Sequence, residues 1–513
     1  MTGADAASTP TDSDISDAAQ LWGVPSHLLD ELAEVADEML ELYQRVRDLA
    51  VCEGTAPDQP EPERADLEEV LGRDAGSAWM FRTPQQGPSS GSNGPLSGQR
   101  LAVKDCIAVS GVPMTIGTTF FRHVASSDAP SVARSLEAGA TLTGTTVCES
   151  LCLSGSSFTS STGVVPNPFD ATRSAGGSSS GNAVVIARGE ADIALGTDLG
   201  GSVRNPAAWS GITALKPTFG VVPYTGAMPT EATMDHLGLM ARTAAEIHPF
   251  LVALAGADGF DSRQIGIGSL RPATNTNPRI AVLAEGFEHP HADVRVSAAV
   301  RRSAAQLGAL LAYSAVAEVS VPLHRHAPDI HAPIAAEGSL VTLFEQSLQS
   351  SNHAGPYDSA LAEAFASAVR DNAGALPLNA MATLVATSAA RRRTGGTVPS
   401  IAQGLRRRLQ AQYEAVLQQH DVLVLPTVPM LPHLLPRESL SVREYRRLAF
   451  EMHDNNCATN LTGHPSITIP CAMIDGLPVG MMLIGRHLED LDLIALAARF
   501  QQECFAPPQP SIE

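Results

Sequence analysis

Apolar residues near the start of the chain recur at spacings that alternate between four and three. They are Leu28, Leu32, Val35, Met39, Leu42, Val46 and Leu49. This spacing predicts an amphipathic helix of about three heptads with a narrow apolar seam. Ser26 is the candidate N-cap, and Asp30 and Glu31 fall in the first turn. The seam needs a partner, and the sequence leaves open whether this is the parent domain or a second copy of the chain.

Beyond residue 98, short apolar runs alternate with polar, glycine-rich turns. Strands are predicted at residues 100–103, 141–144, 212–215, 280–283, 421–425, 466–469 and 479–484. Helices are predicted at residues 131–138 and 293–311, and helical periodicity then dominates up to residue 420. The expected fold class is therefore α/β, with a mixed β-sheet core covered by helices. Residues 55–98 are rich in proline, glycine, serine and acids and predict a connection with one short helix near residues 66–71.

Two glycine-flanked serine clusters, around Ser178 and at Ser202, lie on either side of an apolar stretch. Residues 183–187 and 191–195 predict a short buried helix followed by a strand. A flexible glycine-serine linker would be polar throughout. The two serine turns are therefore expected at the ends of core elements.

Composition narrows the possible partners and the compartment. The formal net charge is −20, with 54 acidic and 34 basic residues, which argues against nucleic-acid binding. The acidic, polar N-terminus is not expected to be a signal or transit peptide, and no apolar run reaches the roughly 20 residues of a membrane span. Seven cysteines without CxxC spacing suit a reducing cytoplasm. Cys148 and Cys152 are predicted to be small core residues.

The first serine cluster, GGSSSG, could be a phosphate-binding loop or a nucleophile elbow, but the neighbouring residues argue against both. It lacks the Lys-Ser/Thr ending of a phosphate-binding P-loop. Residues 177–181 also fit the G-x-S-x-G nucleophile elbow with Ser179 as nucleophile, but that motif needs a preceding strand. Residues 170–175 are polar and turn-like instead.

The second cluster offers a serine beside a candidate oxyanion hole. The N–H groups of Leu199, Gly200, Gly201 and Ser202 are expected to converge on one point. Lys104, at the end of an aliphatic strand, is the candidate base, because burial would lower its pKa. A surface pair with Asp105 is the open alternative. His324, His326 and His331 lie close in sequence, but no metal-binding pattern accompanies them.

These residues lie in motifs that resemble the amidase signature family. The motifs are AVKD at Lys104, the GGSS cluster, GTDLGGSVRNP ending at Pro206, LKPT at 215–218, MDHLGLMART from Met234, DVLVLPT at 421–427 and GLPVGMMLIGR at 476–486. The resemblance covers residues 101–500. The helical N-terminal extension, together with residues 148–159 and 462–470, is similar to the amidases that accompany nitrile hydratase in bacterial nitrile breakdown. The family implies an amidase-signature-type sheet core with an N-terminal helical extension, here an extension and linker over residues 1–98. The catalytic domain would span residues 99–510, with a helical, substrate-shaping region at about 285–420.

The resemblance also implies a mechanism without metal or cofactor. Ser202 would be the nucleophile, Ser178 a bridging serine on a non-proline cis peptide after Gly177, and Lys104 the terminal base. Asp198, Arg204 and Ser179 would support the site, and the substrate would be a small carboxamide. We expect a cytoplasmic amidohydrolase that binds neither nucleic acid nor membrane and forms a homodimer through the N-terminal helix. The alternatives are the glutamine-type subunit of an amidotransferase, which hands ammonia to a partner, and a non-catalytic scaffold.

Four residues depart from the commonest family pattern. They are Ser180, Asn182, Leu199 and Asn205. Backbone donors survive such changes, whereas the shape of the substrate pocket need not. The chemistry is therefore easier to predict than the substrate.

Overall fold

The computed structural model describes residues 24–52, 68–69, 77–83, 94–264, 266–349, 358–437 and 439–510. The chain divides into two compact units. One consists of residues 1–59 with 358–360, and the other of residues 60–357 with 361–513.

The described part of the first unit is dominated by helix α1, Leu29–Cys52, which follows a 3-10 turn at Ser26–Leu28. The predicted helix is confirmed. The predicted cap is wrong, because Ser26 already lies inside the turn and Pro25 precedes it without a side-chain cap. Within this helix, the seam residues Leu32 and Val46 are 38% and 58% exposed.

The second unit is built on a twelve-stranded sheet and a two-stranded sheet within the described residues. The strands are β1 Glu68–Glu69, β2 Trp79–Arg82, β3 Arg100–Lys104, β4 Pro113–Met114, β5 His123–Val124, β6 Thr141–Thr146, β7 Ile193–Asp198, β8 Thr213–Lys216, β9 His236–Ala241, β10 Ile280–Leu283, β11 Ala317–Val319, β12 Val422–Pro426, β13 Ser466–Ile474 and β14 Leu477–Gly485. The large sheet has the order β1-β2-β6-β3-β7-β9-β8-β13-β14-β12-β10-β11, and β4 pairs with β5.

The large sheet is mixed, as predicted. Strand β3 runs parallel to β6 and β7, and β10 runs parallel to β11 and β12, while the other neighbours are antiparallel. All six residues of β7 are buried, which is typical of a strand covered on both faces.

In the second unit, some helices pack on this sheet and others pack on neighbouring helices. After α1 they are α2 Pro130–Glu137, α3 Ser180–Ala187, α4 Arg204–Ser210, α5 Ala244–Leu254, α6 Val294–Leu310, α7 Ala327–Ser339, α8 Ser359–Asp371, α9 Leu378–Thr394, α10 Val398–Gln419, α11 Val442–Phe450, α12 Cys457–Thr462 and α13 Asp490–Glu503. Helix α3 is mostly apolar, with Ser180 and Asn182 as its polar residues, and all its residues are buried, as expected for a helix inside a large core. Within the described ranges, no helix has both the length and the apolar character needed to cross a membrane.

Most predicted elements are confirmed to within a few residues, and three differences stand out. Strand β1 lies where a short helix was predicted; its two residues pair antiparallel with β2, and the rest of that prediction falls outside the described residues. Strand β2 continues the large sheet from a segment predicted to be a connection. Strand β9, which the prediction lacked, separates β7 from β8.

Candidate active site

Three parallel strands bring the candidate site residues to one edge of the sheet. Strand β3 lies between β6 and β7, with Lys104 opposite Thr146 and Val103 opposite Leu195. The carboxyl ends of parallel strands meet at one edge, and ligand sites of such sheets lie beyond those ends. The topology therefore makes neighbours of Lys104, the segment after Thr146 and the turn after Asp198.

Lys104 is fully buried and points at the first serine cluster. Its Nζ donates to Ser178 Oγ at 2.8 Å and to Thr197 Oγ1 at 2.8 Å. A surface pair with Asp105 is therefore the wrong alternative. Asp105 is itself buried and accepts from Thr115 Oγ1 at 2.5 Å.

Three cysteines act on the Lys104 ammonium group. Cys106 Sγ lies 3.6 Å from Thr197 Oγ1, the hydroxyl that accepts from Lys104, and Cys148 and Cys152 also influence the pKa of this lysine. Burial by itself lowers the pKa of Lys104, but the neighbouring cysteines, Cys152 above all, raise it more, and the pKa lies above its ordinary value. The prediction that the pKa of Lys104 is lowered is therefore wrong. No pattern in the sequence indicates that these cysteines lie near Lys104.

Ser178 and Ser179 lie at the start of helix α3, in a fully buried turn. The peptide bond between Gly177 and Ser178 is cis, as the resemblance implies. The Ser178 carbonyl accepts from the Glu149 N–H at 3.2 Å, and the Ser179 N–H donates to the Ser202 carbonyl at 3.1 Å. The first serine cluster is thus tied both to the segment after β6 and to the second cluster.

Ser202 ends a sharp turn between β7 and α4, formed by Leu199, Gly200, Gly201 and Ser202, which we call the glycine turn. The side chain of Ser202 makes no hydrogen bond to any described residue, and the residue is 5% exposed. Ser178 and Lys104 are both 0% exposed. Among these three residues, only Ser202 has any exposed surface.

A buried ion pair braces the glycine turn. The Asp198 carboxylate accepts from Arg204 Nη2 at 2.8 Å and Nε at 3.0 Å, and from the Gly201 N–H at 2.9 Å. Burial alone would raise the pKa of Asp198, but the Arg204 guanidinium lowers it far below its usual range. The ion pair places Asp198 and Arg204 at the turn, and their supporting role in the site stays a prediction.

The hydrogen bond from the Gly201 N–H to Asp198 reduces the number of backbone N–H groups that could bind a substrate. The Gly201 N–H is directed at Asp198, whereas the N–H groups of Gly200 and Ser202 donate to no group in the described part of the chain. Of the four donors predicted for an oxyanion hole, Gly201 is therefore engaged elsewhere.

The three histidines that lie close together in the sequence contact three different partners. His324 Nδ1 lies 2.7 Å from the Tyr413 hydroxyl, His326 is exposed beside Asp329, and His331 Nε2 lies 3.0 Å from the Leu199 carbonyl oxygen. Within the described ranges, no group of three potential ligands could hold a metal ion.

The four departures from the family pattern lie around the serine clusters. Asn182 accepts from Thr146 Oγ1 at 2.6 Å and donates to the Leu195 carbonyl at 2.8 Å, which ties α3 to the sheet. Asn205 Nδ2 lies 2.8 Å from His453 Nδ1, and Asn205 Oδ1 accepts from Asn456 at 2.6 Å. Ser180 is buried, with its Oγ 3.5 Å from the Val147 carbonyl oxygen, and Leu199 is half-buried.

Sequence reasoning missed Thr197, Cys106 and His453. Thr197 and Cys106 become visible only when β3 and β7 are placed side by side, because each lies near the end of one of these strands. His453 binds the Gly200 carbonyl oxygen at 2.7 Å, and a partner of this kind leaves no motif.

Known proteins resemble this chain in both sequence and fold. The family model described as Amidase matches residues 78–494. An enantioselective amidase from Rhodococcus rhodochrous is 36% identical over 488 residues, covering 93% of this chain and 92% of that protein. A glutamyl-tRNA(Gln) amidotransferase subunit from Symbiobacterium thermophilum is 32% identical, covering 80% of this chain and 83% of that protein. The crystal structure of the corresponding subunit from Thermotoga maritima has a TM-score of 0.69 at 23% identity, covering 85% of this chain and 91% of that one, and shows a shared fold.

Proposed function

The chain belongs to the Amidase family, and from this premise we propose that it is an amidohydrolase that converts a small carboxamide into a carboxylic acid and ammonia. The observation that carries the proposal is the contact between Lys104 Nζ and Ser178 Oγ at 2.8 Å, inside a fully buried site next to the accessible Ser202.

The proposed reaction begins with proton transfer from Ser202. Once Lys104 has lost one proton, its lone pair accepts the Ser178 hydroxyl proton while Ser178 Oγ takes the proton of Ser202. Ser202 Oγ then bonds to the amide carbon, and the carbonyl π electrons move to oxygen. The fraction of neutral amine grows with pH, and because the pKa of Lys104 is raised, this fraction is smaller at a given pH than for an ordinary lysine.

The N–H groups of Gly200 and Ser202 are the proposed donors to the oxyanion of the tetrahedral intermediate. One such donor is worth about 3 kcal/mol in comparable sites. The proton held by the relay passes to the amide nitrogen, the C–N bond breaks and ammonia leaves. Water then attacks the Ser202 ester through the same relay, which releases the acid and restores the hydroxyl.

A glutamine-dependent amide-transfer role is the second candidate, because relatives of that kind share 32% identity. The extent of the matches favours the stand-alone amidase. A match over 93% of 513 residues must include part of α1, whereas the match to the amidotransferase protein covers 80%. A non-catalytic scaffold has no use for a buried lysine bonded to a serine.

Ammonia release by the full-length chain tests the proposal. The panel contains aliphatic, aromatic and amino-acid amides, enantiomeric pairs of a chiral carboxamide in view of the Rhodococcus relative, and glutamine. We expect turnover of several amides, and loss of turnover with Ser202→Ala and Lys104→Ala but not with the exposed control Ser127→Ala. Hydrolysis of glutamine alone would favour the amide-transfer role, and normal turnover by Ser202→Ala would overturn the nucleophile.

The exposed seam of α1 supports a homodimer as part of the same proposal. Leu42 and Val46 are 42% and 58% exposed, and they belong to a row of apolar side chains at heptad spacing that two helices could bury against each other. Light scattering should show a dimer that Leu42→Asp with Val46→Asp dissociates, while Glu34→Gln on the polar face leaves it unchanged. A monomer at the same concentration for the unaltered chain would contradict this proposal.

A cytoplasmic location is also proposed, from the state of the cysteines. All seven are free, including Cys106, Cys148 and Cys152, which follow the paired strands β3 and β6. Free thiols persist most readily in a reducing compartment. Fractionation of the native host would find the chain with cytoplasmic markers, and recovery in an oxidising compartment would contradict the proposal.

A further inference from the structure

Two histidines from distant parts of the chain bind consecutive carbonyl groups of the glycine turn. His331 Nε2, from helix α7, lies 3.0 Å from the Leu199 carbonyl oxygen. His453 Nδ1, from the short turn before α12, lies 2.7 Å from the Gly200 carbonyl oxygen. In the described part of the chain, no other group donates to either oxygen.

These contacts fix the direction of the neighbouring N–H groups. In a trans peptide the C=O and the N–H point in opposite directions. With its Leu199 oxygen held by His331, the Leu199–Gly200 peptide directs the Gly200 N–H away from His331. The next peptide is held at both ends, because His453 binds the Gly200 oxygen and Asp198 accepts from the Gly201 N–H at 2.9 Å.

The turn needs such anchors because its own sequence does not fix it. Gly201 has a φ of +123°, and glycine has access to many other backbone conformations. The rings lie against Gly200: a Cβ there would come within 3.3 Å of His331 Nε2 and 3.6 Å of His453 Nδ1. Without His331 the oxygen of the Leu199–Gly200 peptide would lose its anchor, and without His453 the Gly200–Gly201 peptide would be held only through the Gly201 N–H by Asp198.

A carbonyl oxygen only accepts hydrogen bonds, so the nitrogen facing it must carry a proton. Burial lowers the pKa of His331 to about 4 and lowers the pKa of His453, so both rings are neutral at pH 7 and each carries one proton. The required tautomers are Nε2–H in His331 and Nδ1–H in His453. Asn205 Nδ2 also lies 2.8 Å from His453 Nδ1. A hydrogen bond from this amide would need the lone pair of an unprotonated Nδ1. The Gly200 oxygen would then have no donor.

We propose that His331 and His453 are positioning residues that hold the two peptide planes of the glycine turn, so that the Gly200 N–H faces the reacting carbonyl oxygen. The inference rests on the proposed amide hydrolysis and deepens it. It assigns a role to side chains that need not touch the substrate. Loss of either anchor lowers the rate of the chemical step and leaves substrate binding largely intact.

Side-chain amides provide the test, because they reproduce one ring nitrogen each. Asparagine places its amide nitrogen near the position of histidine Nδ1, and glutamine near that of Nε2. His331→Gln and His453→Asn should therefore retain the anchors, whereas His331→Asn, His453→Gln and both alanine variants should lose them. The exposed His326→Ala is the matched control.

Steady-state kinetics on one amide gives the readout. We expect the anchor-losing variants to lower kcat at least about tenfold, and at most by the roughly 10²–10³-fold that follows complete loss of an oxyanion donor. KM should change less than about twofold, and His331→Gln and His453→Asn should recover most of kcat. Near-normal kcat in the alanine variants, or equal recovery by both amides at one position, overturns the inference.

Failure of the inference and failure of the proposed function give different results. If the unaltered chain releases no ammonia from any amide, the proposed function is wrong and the inference falls with it. If the unaltered chain is active and the anchor-losing variants behave as His326→Ala does, only the inference is wrong. If an alanine variant does not fold, as judged by circular dichroism, the contrast between the two amides at that position decides.

Discussion

Replacing Asp198 with asparagine tests how strongly the glycine turn depends on its buried ion pair. Asp198 and Arg204 are both 0% exposed, and the carboxylate accepts from Arg204, from the backbone of Gly201 and Val203, and from Asn460. Asparagine has one acceptor oxygen, and its NH₂ would face groups that also donate. The Arg204 charge would remain buried without a counter-charge.

The expected cost follows from that burial. Removing one partner of a buried ion pair costs about 3–5 kcal/mol. The exposed pair of Arg301 and Glu318, with side chains 45% and 53% exposed, is the matched control. For Glu318→Gln we expect a loss of about 0–1 kcal/mol, as is usual for surface pairs.

Urea unfolding followed by tryptophan fluorescence measures both variants, since Trp209 is buried in α4 just after the turn. Asp198→Asn should shift the unfolding midpoint to much lower urea than Glu318→Gln does and should lower kcat. The pKa of Asp198 is lowered in the folded state, so its contribution is present above the unfolded pKa of about 4 and is lost as the pH falls below it. Equal midpoints for Asp198→Asn and Glu318→Gln at pH 7 would refute the reasoning.

Three further predictions concern the base, the turn and metal dependence. Cys152→Ala removes the sulfur that contributes most to raising the pKa of Lys104, so the rising limb of kcat/KM against pH should move to lower pH; an unmoved limb contradicts this. Gly201→Ala places a Cβ at φ +123°, 2.6 Å from the Asn456 Cβ, and should abolish turnover, while Gly404→Ala, with nothing within 4 Å, should leave the rate unchanged. Dialysis against EDTA should leave kcat unchanged, and a loss that zinc restores would establish a metal requirement.

The central strands were predictable because each is a continuous apolar run bounded by polar turns. Strand β10 was predicted with the boundaries observed, and helix α6 within one residue at each end. The edge of the sheet was not predictable in the same way. Strand β2, with Trp79 and Phe81 buried, lies in a segment whose overall composition is that of a connection.

The parts of the site differ in how far sequence reasoning reached them. Lys104, Ser178 and Ser202 could be proposed from the sequence because they stand in motifs. The cysteine cluster could not, since Cys106 follows β3 whereas Cys148 and Cys152 follow β6, and only strand pairing unites them. Its effect reverses the expected shift in the pKa of Lys104.

Covalent labelling of Ser202 tests the central claim most directly. A fluorophosphonate reacts with an activated serine by forming an O–P bond and losing fluoride, so its adduct marks the nucleophile. After labelling of the full-length chain, peptide mass spectrometry should place a single adduct on Ser202, in step with loss of amide hydrolysis, and Ser202→Ala should remain unlabelled. An adduct on Ser178, Ser179 or Cys152, or full inactivation without any adduct on Ser202, would contradict the account.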